Sequence, residues 1–463
     1  MGGFEAFRDK MTGAKVREAA ILAFERSYGK LVGQETGMLP EGSLNPAEEL
    51  PQVGGAGGVF DPELLKQTVL IKLNGGLGTS MGLQKAKSLL PVKDGATFLD
   101  IIVKQILALR EDTGAQVRCL LMNSFSTSED TLSYLQKYAA QGLAGKEEVE
   151  LLQNMVPKVD AGTLAPASWP ANPDLEWCPP GHGDLYPALS GSGWLDKLLA
   201  DGVKYAFVSN SDNLGAVLDA GLLSYFAESG VPFLMEVTRR TESDKKGGHL
   251  AVRDEDGQLV LREVAQCPEE DLGEFQNIDK HRFFNTNNLW LRLDALKLAL
   301  EAGNGVLPLP MICNRKTVDP RDKASKEVFQ LEAAMGSAIE CFGGAAAVEV
   351  LRTRFAPVKT TGDLLALRSD AYELRQDGCM ALVPERNGVP PVVELGGEYK
   401  LVDRLDGLGV PSLVEAKSLR IKGAWLIEEG AVIRGDVQLV NEGSNREVLA
   451  AGEYDNVEVV RGS

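Results

Sequence analysis

The stretch Val69-Leu70-Ile71-Lys72-Leu73-Asn74-Gly75-Gly76-Leu77-Gly78-Thr79-Ser80-Met81-Gly82 carries an apolar run directly into a loop with four glycines. Such a loop lets backbone amides approach an anion with no Cβ in the way, which is what a phosphate cradle requires. It fits neither common nucleotide fingerprint: a GxGxxG pattern fails at Met81, and a P-loop needs lysine where Leu83 stands. Lys87, in Lys85-Ala86-Lys87-Ser88, can fold back to neutralise the same phosphates, whereas Lys85 reads as a solvated surface residue. Farther along, an apolar run ends in Asn210-Ser211-Asp212-Asn213. This puts Asp212 at the mouth of a strand and makes it the one candidate ligand for Mg²⁺, which takes one or two carboxylates plus substrate phosphates. Asn213 reads as a helix cap.

These residues need a frame to hold them. Short apolar runs at Thr68 to Leu73, Val117 to Met122, Tyr205 to Val208 and Phe233 to Val237 alternate with helical stretches such as Phe98 to Arg110 and Asp130 to Ala139. That alternation predicts an α/β domain with a largely parallel sheet, its ligand beyond the carboxyl ends of the strands. Upstream, Val16, Ala20, Phe24, Tyr28 and Leu31 recur at helical spacing, and residues 38–58 read as an extended connection. In the tail, Leu419, Trp425, Ala431 and Val437 fall six residues apart, as do Ile421, Ile427, Ile433 and Leu439. Two interleaved registers of that period predict hexapeptide rungs of a small β-helix. With no histidine in the tail to act as base, a scaffold or subunit-contact role follows rather than acyl transfer.

Composition closes off other classes. Of 463 residues, 44% are hydrophobic and 25% charged, which excludes a mostly disordered chain. No run reaches the ~20 apolar residues of a membrane span, and neither a secretory nor a myristoylation pattern opens the chain, so a cytoplasmic location is expected. A net charge of −18 repels nucleic acid and anionic membrane. Six scattered cysteines without a CxxC pair read as reduced thiols, and three dispersed histidines suit neither a metal cluster nor a Ser/His/Asp triad. The chemistry is left to lysines, amides and carboxylates.

LNGGLGTSMG followed by KS resembles the eukaryotic-type UDP-glucose pyrophosphorylases, the UTP:glucose-1-phosphate uridylyltransferases. So, in that family's order, do LMNSFSTSEDT (121–131), PPGHGDLY (179–186), VSNSDNLGA (208–216), MEVTRRTESDKKGG (235–248), FNTNNLW (284–290) and PVKTTGDLL (357–365). The related UDP-N-acetylhexosamine pyrophosphorylases carry a loop closer to LAGGQGTRLG. Gln84 and Ala86 depart from residues common in the family, and the chain ends soon after the six-residue repeat.

The resemblance implies a Rossmann-like, GT-A-like nucleotidyltransferase domain over 59–390, an N-terminal helical segment and connection over 1–58, and a C-terminal domain with a left-handed β-helix over 391–463. It implies a reversible, Mg²⁺-dependent reaction of UTP with glucose-1-phosphate that gives UDP-glucose and pyrophosphate. The amides of Leu73, Asn74, Gly75 and Gly76, with Lys87, would hold the nucleotide phosphates, and Asn210 would lie at the nucleotide. Gly181 and Gln153 would meet uracil, whose donor-and-acceptor edge an amide side chain can match. His182 would reach the sugar phosphate, Asp212 the metal beside it, and Lys359 the reacting phosphate. Glu263, Asn285 and Asn287, with a backbone contact from Gly248, would bind the sugar hydroxyls; Asn285 and Asn287, two apart on a presumed strand, would share a face. A broader UDP-sugar pyrophosphorylase or a non-catalytic nucleotide-sugar-binding regulator would carry the same motifs. The tail could join subunits of a homo-oligomer or cap a monomer.

Overall fold

The computed structural model describes residues 3–53 and 58–462. Its main sheet is mixed. The central part is parallel, with strands β2 (Thr68–Asn74), β3 (Arg118–Asn123), β4 (Glu150–Leu152) and β5 (Tyr205–Asn210) in the spatial order β5-β2-β3-β4. Beyond β5 the sheet continues antiparallel through the long strand β9 (Phe283–Arg292), which also pairs with β6 (Phe233–Arg239), and β6 pairs in parallel with β10 (Ala346–Glu349). Strand β7 (His249–Arg253) joins β9 at Phe284 and carries β8 (Leu259–Arg262) and β1 (Leu44–Pro46).

The parallel strands read as nearly continuous apolar runs because both their faces are covered. Leu70, Cys119 and Leu121 pack against helix α3 (Phe98–Thr113), in a cluster with Phe98, Ile102 and Ile106. Val69, Ile71, Leu120 and Met122 face the other layer, with Leu185, Leu189, Leu198 and Leu296. Helix α3 starts with a capping box in which Thr97 and Asp100 exchange side-chain and backbone bonds, and stops at Gly114 in a left-handed conformation. The helical pattern at 130–139 resolves into α4 (Ser128–Leu135) followed by 3₁₀ turns, with a non-helical backbone at Tyr138.

Helices α1 (Glu5–Gly13) and α2 (Glu18–Val32) bury Phe7, Met11, Ile21, Phe24 and Tyr28 against Val156, Val159 and Leu331. The segment read as an extended connection does more than connect. Its residues Leu44–Pro46 add an edge strand to the main sheet, and Gln52 bridges to Glu349; residues 54–57 lie outside the described part. An edge strand of three residues is too short to leave a periodic signal.

In the tail, strands β11 (Val392–Leu395), β12 (Ser412–Lys422), β14 (Ala431–Asn441), β16 (Gly452–Asp455) and β17 (Glu458–Arg461) form a parallel sheet, and β13 (Trp425–Ile427) pairs in parallel with β15 (Glu447–Leu449). Leu419 stands opposite Val437 and Ile421 opposite Leu439. Both six-residue registers are buried throughout. Together they share a core with Leu364 and Leu365 of helix α6 (Thr361–Arg368); α5 (Leu185–Gly191) lies on the opposite side of the main sheet.

Candidate active site

All four parallel strands end, at one edge of the sheet, in residues singled out by type or by contact. After β2 come Gly75 and Gly76; after β3, Ser124; after β4, Gln153; after β5, Ser211 and Asp212. Neighbouring ends are tied to one another. Asn74 donates to Asn123 Oδ1 at 2.8 Å and to Thr131 at 3.0 Å, Ser124 Oγ donates to the Gly75 carbonyl at 2.9 Å, and the Gln153 amide donates to the Asn123 carbonyl at 2.8 Å. Leu73 and Asn74 belong to the paired strand, so the loop free of the sheet begins at Gly75. From there the amides of Gly75, Gly76, Leu77 and Gly78 donate to no protein acceptor among the described residues. Gly78 turns the chain at φ +65°, and the Lys87 amide closes the loop onto the Gly76 carbonyl at 3.0 Å.

Lys87 then reaches across the sheet edge. Its ammonium lies 2.6 Å from Asp212 Oδ2 and also donates to the Val358 carbonyl. The segment holding Val358 is stitched to the Asp212 loop: Val358 N donates to the Asp212 carbonyl at 3.2 Å, Asn213 bridges to Pro357, and Asn213 Oδ1 accepts from Ala356 N at 3.0 Å. Asn213, read as a cap, is thus a cross-link between segments. Under this junction sits a buried pair, Glu236 with Arg354 in a two-pronged contact at 2.8 Å each, and Glu236 also accepts from Asn288 and Trp290. Lys72, buried between Ser209 Oγ and the Ala216 carbonyl, is pushed down to about 8 by desolvation.

Lys359 sits one residue past Val358 but in different company. Its ammonium lies 5.9 Å from the ring of Phe284 and 5.5 Å from that of Phe355. Its backbone amide donates to Asp363 Oδ2 at 2.8 Å, as part of the N-terminal cap of α6. Burial raises the Glu263 carboxyl and the charge of Lys359 lowers it, so the two feel each other. Glu263 Oε1 stands 2.6 Å from where a Cβ on Gly248 would be, which places Glu263, Gly248 and Lys359 in one neighbourhood. Asn285 and Asn287 join it by a route that alternation did not foresee. Strand β9 bulges so that Val237 faces Asn285 while Glu236 faces Asn288, and Asn287 adopts φ +58°. The two side chains meet through the bulge itself, Asn285 Nδ2 donating to Asn287 Oδ1 at 3.0 Å, rather than by standing two apart on a regular strand.

On the far side of the glycine loop, Gln153 Nε2 donates to the Gly181 carbonyl at 2.9 Å. Gly181 has φ +78°, and a Cβ there would stand 2.6 Å from the Ala333 carbonyl, so the turn needs glycine on both counts. His182 accepts the Met335 amide at Nδ1, 2.9 Å away, which fixes the Nε2–H tautomer; burial pushes its imidazole down to about 4 and keeps it neutral. The Asn210 side chain has no partner among the described residues. Sequence reasoning missed Ser124, Asp184, Glu236 and Arg354. Only the position of Glu236 within an apolar run signalled a buried charge.

Among the described residues, no three His, Cys, Asp or Glu side chains gather to hold a metal by themselves. Asp212 keeps Oδ1 without a protein partner, so the donor set suits a hard cation that takes one carboxylate oxygen here and the rest of its shell from phosphate and water. Among the described residues, no helix is long and apolar enough to cross a membrane. The cysteines are all free.

Free amides, two lysines and one carboxylate at the carboxyl edge of a parallel sheet define an α/β protein that handles a phosphorylated ligand. The family model for UTP–glucose-1-phosphate uridylyltransferase matches residues 22–434. The UTP–glucose-1-phosphate uridylyltransferase of Solanum tuberosum is 42% identical over 81% of this chain and 77% of its own length; that of Saccharomyces cerevisiae is 41% identical over 85% and 78%. The fold is that of UDP-glucose pyrophosphorylase from Leishmania major, with a TM-score of 0.93 at 45% identity over 100% of both chains, and a variant of that enzyme in complex with UDP-glucose superposes equally well. The chain belongs to the UTP–glucose-1-phosphate uridylyltransferase family.

Proposed function

We propose that this chain transfers the uridylyl group of UTP to glucose-1-phosphate, giving UDP-glucose and pyrophosphate, reversibly. A phosphate oxygen of glucose-1-phosphate forms a bond to the α-phosphorus of UTP as the bond to the bridging oxygen of the β-phosphate breaks, and pyrophosphate leaves with that electron pair. The attacking phosphate is already ionised at neutral pH, so no base is needed; alignment and charge neutralisation carry the step. The amides of Gly75 and Gly76 and the ammonium of Lys87 hold the nucleotide phosphates, and Lys359 draws in the sugar phosphate. Gln153 and Gly181 read uracil and Asn210 borders the nucleotide, while His182, held neutral, donates from Nε2 to the sugar phosphate. Glu263, Asn285, Asn287 and the backbone of Gly248 receive the glucose hydroxyls. Asp212 holds Mg²⁺, which when bound neutralises charge developing on the phosphates.

One observation carries the reading: Lys87 Nζ is clasped between Asp212 and the carbonyl of Val358, the residue before Lys359, so the two motifs meet at one strand edge. We further read the catalytic domain (59–390) as GT-A-like, 1–58 as its N-terminal appendage, and the tail from 391 as a left-handed β-helix serving as scaffold or subunit contact; the parallel pairing of Leu419 with Val437 and of Ile421 with Leu439, each eighteen residues on, supports three six-residue sides per coil. The test is pyrophosphate release in initial-rate assays pairing each nucleoside triphosphate with glucose-1-phosphate, with and without Mg²⁺. UTP should exceed the others, and chelation should abolish turnover. Wild-type protein that binds UTP but releases no pyrophosphate overturns the proposal.

A further inference from the structure

Gln153 belongs to a closed ring of hydrogen bonds. Its Nε2 donates to the Gly181 carbonyl, which also accepts the Asp184 amide at 3.3 Å. The Asp184 carboxylate returns to the neighbour of Gln153: Oδ2 accepts the Asn154 amide at 2.6 Å, and Asn154 Nδ2 lies 3.1 Å from both carboxylate oxygens. Arg17, from the start of α2, donates to the Leu152 carbonyl at 3.0 Å and to Asn154 Oδ1 at 3.4 Å, which holds the Asn154 amide one way round. Asn154 and Asp184 are 6% and 4% exposed, so neither is placed to touch a ligand in the cleft.

Resting on the uridylyl-transfer reading above, we infer that Asp184 and Asn154 are positioning residues that lock the orientation of the Gln153 amide and thereby set the preference for uracil over cytosine. A carbonyl can only accept, so the Gly181 oxygen fixes the Nε2 end of Gln153 against itself and leaves Oε1 on the side of Gly75, 2.9 Å from where a Cβ there would stand. Uracil offers N3–H, a donor, to such an acceptor. Cytosine offers a bare N3 at the same place, and two acceptors then face each other without a proton between them. An amide free to turn over would serve either base; one that is clamped serves uracil. The clamp works through the position of the Gly181 carbonyl, which Asp184 grips by its amide while its carboxylate grips the strand end bearing Gln153.

The test compares kcat/KM for UTP and CTP, each with glucose-1-phosphate, in wild type, Asp184→Ala, Asn154→Ala and Asp184→Asn, alongside calorimetric titration with each nucleotide. The alanine variants should lower the UTP:CTP ratio by about tenfold or more, mainly through KM for UTP, the loss expected when a buried hydrogen bond stops discriminating. Asp184→Asn keeps one acceptor oxygen for the Asn154 amide and should restore most of the ratio. Should Asp184→Ala fail to fold, Asn154→Ala carries the same test, since it deletes the side-chain bonds and spares the backbone one. An equal loss for both nucleotides, leaving the ratio unchanged, means a purely structural role and overturns the inference. Absence of turnover in wild type overturns the transfer reading instead, and the calorimetric ratio then decides the positioning claim.

Discussion

Lys87 and Lys359 carry the same charge at the same edge of the sheet, yet one is held and the other is left open. Lys87 is clasped by Asp212 and the Val358 carbonyl, whereas Lys359 rests over Phe284 and Phe355 with only its backbone anchored by the α6 cap. A cation already paired is positioned in advance and must share its partner when phosphate or metal arrives. A cation over aromatic faces has given up little hydration and can turn wholly to an incoming phosphate. On the roles proposed above, the nucleotide half is thus built ahead of its ligand, and the sugar half keeps a free charge for its own.

The largest effect should come from beneath both halves. Glu236→Ala leaves the Arg354 guanidinium buried without its carboxylate, and removing one partner of a buried pair costs about 3–5 kcal/mol. Urea unfolding should show that loss, and both substrates should bind more weakly; a loss under ~1 kcal/mol would mean the two halves do not share this support. Next come the lysines themselves. Lys87→Ala and Lys359→Ala should each lower kcat/KM by about 10²–10³, the scale of losing one preorganised donor. They should part in KM: Lys359→Ala raises that for glucose-1-phosphate, while Lys87→Ala acts through UTP. Identical profiles for the two variants would erase the contrast.

Smaller still is Thr360→Ala, which removes the side chain that accepts the Asp363 amide at the start of α6. A lost cap costs ~1 kcal/mol, and KM for glucose-1-phosphate should rise a few-fold with UTP unaffected, as read by initial rates. The mildest probe is pH. His182 is neutral in the fold, lowered to about 4 by burial, against an ordinary value near 6.5 when unfolded. Between those values the unfolded chain binds more protons, so stability contributed by His182 is full above about 6.5 and is lost as pH falls toward 4. Denaturation curves across that window should show a slope that His182→Gln removes.

Much of the fold was legible. The strands at 68, 118, 205 and 233, helix α3 and the two buried six-residue registers are local periodicities, and burial on both faces of a parallel strand writes itself as an unbroken apolar run. The glycine loop and its lysine were legible because residue type alone says what an amide-lined turn and a cation can do. The edge strand Leu44–Pro46 was not, since three residues carry no period, and the Asn285–Asn287 contact was not, since a bulge breaks the alternation on which the expectation rested.

Residue chemistry therefore determined which groups are available here: amides without side chains in the way, lysines, one carboxylate at a strand mouth, and almost no histidine. Only the tertiary structure decided which of them meet. Lys87 finds Asp212 across 125 residues because parallel strands far apart in the chain end side by side, and Val358 across 271 because the segment before α6 is stitched to the Asp212 loop; Asn154, past the end of β4, finds Asp184 across 30. Pairings over such separations are set by sheet order, which local spacing does not encode.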